Sequence, residues 1–121
     1  MQWPEGEKIY ALWDTGASHS SISRSLAEKM KLPEMGNSNV LTSAGIQERT
    51  DYSINFYLHV PNLMFPALTV SAFNGVTAFD MIIGMDIINK GDFAVTHRYN
   101  NTVMSFNLPS VNHIDFEKKR Y

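Results

Sequence analysis

Leu12-Trp13-Asp14-Thr15-Gly16-Ala17-Ser18 is the stretch on which the reading of this chain turns. The residues before it, Ile9-Tyr10-Ala11-Leu12-Trp13, form a short apolar run rich in strand formers. The run stops at Asp14-Thr15-Gly16, a turn-forming group. The pattern predicts a strand followed by a tight loop. A carboxylate on such a loop is open to a substrate and held by a rigid scaffold. Gly16 leaves room for close approach of backbone or ligand, and the Thr15 hydroxyl can tie the loop together. An Asp-Thr-Gly triplet alone is equally at home in an ordinary turn, so the rest of the chain has to decide.

Outward from this loop, Ser20-Ser21-Ile22-Ser23 reads as a brief strand. Ser25 and Glu28 then show capping-box spacing, with Leu26, Ala27 and Met30 as a helical apolar stripe that Pro33 closes. Between Asn39 and Leu58 a long hairpin is predicted. It turns at Ser43-Ala44-Gly45, and Tyr52, Ile54, Phe56 and Leu58 alternate along its second strand. Leu63 to Phe73 is a further strand, with Pro66 marking an edge or a bulge, and Asn74-Gly75 is a turn. Met81-Ile82-Ile83 is too short for a helix and reads as a buried strand ending at Gly84. A helix from Met85 to about Lys90 follows, with Gly91 in the left-handed position after it. Phe93 to Thr96 and Thr102 to Phe106 read as strands joined at Asn100-Asn101. The expected fold is mainly β with two short helices.

Three of these elements together resemble the retropepsin-like aspartic peptidases. They are Leu12-Trp13-Asp14-Thr15-Gly16-Ala17-Ser18, the hairpin with Gly45 near its tip, and Ile82-Ile83-Gly84-Met85-Asp86-Ile87-Ile88. They occur in the family's order, and the resemblance spans roughly residues 8 to 106, closest in style to cellular and bacterial members. It implies an acid-protease fold of one lobe per chain: a closed β barrel with a flap hairpin and two short helices. Residues 1–121 are expected to be a single domain, with its core at about 8–106 and a C-terminal tail at 107–121. Viral members carry Arg where this chain has Met85, so dimer support is expected to differ, and the long polar ending after Phe106 points the same way.

The resemblance further implies an aspartic endopeptidase acting on extended polypeptides, with Asp14 catalytic and Thr15 and Gly16 supporting the loop. Ala17, Ser18, Ser43, Ala44, Gly45, Ile46, Phe79 and Ile82 are implied beside the substrate, and Ile22 near the pocket. The chemistry needs two carboxylates facing one water, and the chain offers one Asp-Thr-Gly in a length too short for two lobes. A homodimer supplying two Asp14 side chains is therefore expected, with a bell-shaped activity profile on the acid side of neutrality. A non-catalytic peptide-binding or dimerisation module on the same fold is the alternative reading.

Composition narrows the rest. The 121 residues include ten basic and twelve acidic side chains, for a net charge of −2, with no broad footprint for nucleic acid. Cysteine is absent, which excludes disulfides and thiolate chemistry and suggests a cytoplasmic setting. The segment is compatible with excision from a longer chain. The start, Met1 to Glu7, has no signal pattern, and no apolar run reaches the ~20 residues of a membrane helix, so no membrane contact is expected. His19, His59, His97 and His113 lack metal-site spacing, so neither metal nor other cofactor is expected. Lys118, Lys119 and Arg120 read as a solvated tail. Asp86 reads as a cap or scaffold residue at its helix start. No serine-hydrolase elbow surrounds Ser18, Ser20 or Ser21.

Overall fold

The computed structural model describes residues 6–59, 62–75 and 77–118. The expectations for Met1 to Glu5, Lys119 and Arg120 lie outside the described residues. Among the described residues eight strands and two helices follow in the order β1 (Ala11–Trp13), β2 (Ser21–Ser23), α1 (Arg24–Lys29), β3 (Glu34–Thr42), β4 (Gly45–Leu58), β5 (Leu63–Phe73), β6 (Met81–Ile83), α2 (Met85–Ile88), β7 (Asp92–Arg98) and β8 (Asn101–Asn107). Six strands form a sheet in the order β1-β6-β2-β5-β4-β3, curled into a half-barrel, while β7 and β8 pair separately.

The sheet order holds the feature that positions the candidate site. β6 arrives late in the chain and inserts between β1 and β2, parallel to β1 and antiparallel to β2. The connection from β1 to β2, residues 14–20, must therefore cross over the C-terminal end of β6. Side-chain alternation then sorts the faces. Ala11, Trp13, Ile22, Met81 and Ile83 belong to the core or pack on it, whereas Leu12 and its register partner Ile82 point the other way. Met81, Ile83, Ile87 and Val70 are almost wholly buried, each contributing about 1.5–3 kcal/mol through burial. A 690 Å³ apolar cavity lies on the core side between Trp13, Leu26, Met30, Phe56 and Leu58, and Asp14 does not line it.

The predicted hairpin begins earlier than expected, at Glu34. β4 pairs with β5 only from Asp51 onward, so residues 45–50 and their β3 partners form a two-stranded ribbon standing beyond the sheet. Pro66 marks a bulge: Ile54 pairs Leu68 but Phe56 pairs Phe65, and Ala67, at φ 51°, donates its N–H to Asn55 Oδ1 at 3.0 Å.

Four local expectations are corrected. The cap of α1 is Ser23, not Ser25, because Ser23 is still extended and its N–H is tied to Asp80 O at 2.8 Å, so the helix starts directly after it. Ser25 lies inside the first turn and its hydroxyl meets that of Ser23 at 2.8 Å. Met30, which ends α1, lines the same cavity as Leu26 but is far more exposed than Leu26 and Ala27. α2 stops at Ile88, and Gly91 is not left-handed; a Cβ there would lie 2.0 Å from Asn107 O, so β8 passing close by requires the glycine. The β7–β8 turn falls at Tyr99-Asn100, both at positive φ, because Phe93 and Phe106 must pair while both pack on Trp13 at 5.5 and 5.1 Å.

Residues 110–112 of the tail are fastened to the start of β7. Asp92 accepts hydrogen bonds from the Ser110 hydroxyl, the N–H of Val111 (2.8 Å) and the N–H (2.9 Å) and side-chain amide of Asn112. The Ser110 bond first, then that of Val111, lowers the carboxyl from 3.8 to about 2. A depressed folded value means the tether is complete above pH 3.8 and is lost as pH falls toward about 2. Hydrogen exchange at the Val111 and Asn112 amides, taken relative to the intrinsic rate at each pH, is expected to accelerate across that interval. In Asp92→Asn it is expected to be fast already at neutral pH; slow exchange in that variant would contradict the tether.

Candidate active site

The loop crossing β6 is built from backbone bonds. The N–H of Asp14 donates to Ile83 O at 2.9 Å, carrying the β1–β6 ladder one residue past Trp13. Asp14 Oδ1 accepts the N–H of Gly16 at 2.9 Å, and Asp14 O accepts that of Ala17 at 3.2 Å, a tight turn closed by its own carboxylate. A Cβ on Gly16 would stand 3.2 Å from Asp14 Oδ1 and crowd it. Asp14 and Ala17 are half-buried, whereas Thr15, Gly16, Ser18 and His19 are exposed. Ser18 Oγ and His19 Nδ1 share a hydrogen bond of 3.0 Å.

From the other side, the Met85 N–H donates to Ala17 O at 2.8 Å. Gly84 lies beneath the loop with no space for a side chain, since a Cβ there would be 2.7 Å from the backbone C and O of His19 and 2.8 Å from Ala17 O. Asp86 contacts Ser20 on the loop as well as its own helix. Asp80 binds scaffold instead: its backbone links Tyr10 and Ser23, and its carboxylate meets the Tyr10 N–H.

The structure thus brings Asp14, Thr15, Gly16, Ala17 and Ser18 together with Ile82, half-buried on the β6 strand that anchors Asp14. Phe79 is half-buried against Phe73 at 6.2 Å, on the approach to β6. Ser43, Ala44, Gly45 and Ile46 form the exposed ribbon tip, whose bonds are internal: Ala44 N–H to Thr42 Oγ1 (3.2 Å) and Thr42 Oγ1 to Gly45 O (2.9 Å). Gly45, at φ 107°, supplies the bend. Among the described residues no hydrogen bond joins this tip to residues 14–19. Ile22, expected near the pocket, is instead a core residue, 3% exposed, because it alternates onto the core face of β2.

Two further residues escape sequence reasoning. Leu41 pairs directly with Ile46, and the two are 80% and 73% exposed, an apolar pair at the ribbon tip. Its signal was present, since Leu41 and Ile46 flank the turn symmetrically. Ser20, fully buried, has no local signal, because its partner lies 66 residues away. Among the described residues no group of His, Cys, Asp or Glu could hold a metal ion, and no helix is long and apolar enough to cross a membrane.

A mainly β fold carrying a carboxylate in an Asp-Thr-Gly loop at a strand end defines the class. The chain belongs to the retropepsin-like aspartyl protease family, whose model, described as an aspartyl protease, matches residues 3–87. The match takes in the Asp14 loop, the ribbon and β6, and ends in α2, ahead of the β7–β8 hairpin. Neither a curated protein nor a solved structure gives a significant match. Membership points to peptidase activity on peptide substrates.

Proposed function

We propose that the chain is one subunit of a homodimeric aspartic endopeptidase in which two Asp14 carboxylates, one from each copy, activate a single water. The observation that carries this reading is the Asp14 loop, in which backbone bonds from Ile83 and Gly16 hold the carboxylate at a strand end beside exposed backbone. One such loop per chain makes two copies necessary.

In the paired site the two carboxylates share one proton, since like charges that close do not both persist. The ionised one takes a proton from water as its oxygen attacks the peptide carbonyl carbon, and the protonated one donates to the carbonyl oxygen. Collapse of the tetrahedral adduct breaks the C–N bond, with a proton delivered to the leaving nitrogen. No covalent enzyme intermediate is formed. The β3–β4 ribbon acts as the flap: it closes over an extended substrate with its exposed Leu41–Ile46 pair and excludes water from the dyad. Ala17 and Ser18 lie along the substrate backbone, while Ile82 and Phe79 offer apolar walls to its side chains.

Subunit mixing tests the shared site. With nine parts Asp14→Asn to one part wild type, random exchange pairs about one in ten wild-type chains with another, so cleavage per wild-type chain is expected to fall about tenfold. Undiminished cleavage after demonstrated exchange would mean that one chain suffices.

A further inference from the structure

We propose that Ser20 and Asp86 are a positioning pair that holds the Asp14 loop against α2; the effect on turnover rests on the peptidase reading above, whereas the effect on the loop does not. Asp86 Oδ2 accepts the Ser20 N–H at 2.9 Å, and its Oδ1 accepts both the Ser20 hydroxyl at 2.7 Å and the N–H of Ile87 at 2.9 Å. The Ser20 oxygen in turn accepts the N–H of Gly84 at 3.0 Å. One hydroxyl, 0% exposed, therefore joins three places: the rear of the loop, the end of β6 and the first turn of α2. Its donor and an acceptor site are both used, and the carboxylate takes three donors.

The placement argues for positioning beyond general stability. The loop is held at its front by Asp14 N–H on Ile83 O and in its middle by Met85 N–H on Ala17 O. Among the described residues the side chains that fix its rear are those of Ser20 and Asp86, and Met85 holds the loop through its backbone N–H. Without the Ser20 hydroxyl, the buried Gly84 N–H loses its acceptor directly under the loop. Asp86→Asn is diagnostic because every group facing the two carboxylate oxygens is a donor. An amide of the same shape must turn its NH₂ toward one of them.

The test uses the full chain with Ser20→Ala, Asp86→Asn and the conservative Ser20→Thr, reading hydrogen exchange at the Gly16 and Met85 amides together with kcat and KM on a peptide the wild type cuts. Ser20→Ala and Asp86→Asn are expected to speed exchange at both amides about tenfold. They should also lower kcat per folded dimer by about 10- to 100-fold, with KM within about threefold. Ser20→Thr should return both readouts to within about threefold of wild type. Should Ser20→Ala fail to fold, Ser20→Cys keeps the size while weakening the bonds, and the same direction is expected at smaller size. Unchanged exchange at Gly16 and Met85, or a kcat loss fully accounted for by unfolded protein, would overturn the proposal. A wild type that cuts nothing in an Asp14-dependent manner sinks the peptidase reading alone, and the exchange readout still decides the role of the pair.

Discussion

Gly84→Ala is expected to lower kcat/KM by about 10²-fold and to cost about 3 kcal/mol of stability. At φ −97° the backbone of Gly84 suits any residue, so conformational freedom is not the reason for the glycine. The reason is proximity: the loop from β1 to β2 crosses the end of β6 at this position, and an added methyl would lie 2.7 Å from His19 C and O and 2.8 Å from Ala17 O. All three are backbone atoms, so no side chain can rotate aside. The relief has to come from lifting the loop, which stretches Met85 N–H to Ala17 O and shifts the carboxylate carried three residues before Ala17. A displacement near an ångström is enough for the stated rate loss. Gly6→Ala is the control, because nothing lies within 4 Å of a Cβ there. Equal kinetics and melting for Gly84→Ala and wild type would contradict the packing described beneath the loop.

The elements read most directly from the residues were those whose information is local. Ala11–Trp13 running into Asp14, the β5 run from Leu63 to Phe73 and the apolar β6 triplet all appear where their strand formers and turn residues put them. Where the structure departs from expectation, a distant partner decided. The start of α1 was moved by Asp80 reaching Ser23, and the β7–β8 turn by two phenylalanines meeting on Trp13. Gly91 was anticipated as glycine for its backbone freedom, yet it is required by the carbonyl of Asn107. At the candidate site the same division holds. Asp14, Thr15 and Gly16 announce themselves by adjacency, and Asp86 by its place in the first turn of α2. Ser20 is silent in sequence because its role exists only once β6 has inserted between β1 and β2.

The central claim concerns Asp14, and Asp14→Asn is expected to reduce cleavage by about 10⁴-fold, the upper range for removing a general acid–base group. The substitution preserves shape. The amide that replaces the carboxylate can still accept the Gly16 N–H through its oxygen, and the backbone bond to Ile83 O is untouched, so folding is expected to survive. What disappears is the capacity to share a proton with a second carboxylate. The loss is therefore expected in kcat, with peptide binding retained, as required of a group acting on the reacting atoms. The most direct measurement is mass-spectrometric mapping of cuts in a diverse peptide mixture, at high protein concentration across about pH 4 to 7, for wild type and Asp14→Asn prepared identically. Cuts made by the wild type and missing with Asp14→Asn are the predicted result. Cutting by neither protein, or equally by both, would contradict the claim and favour a peptide-binding role for the same fold.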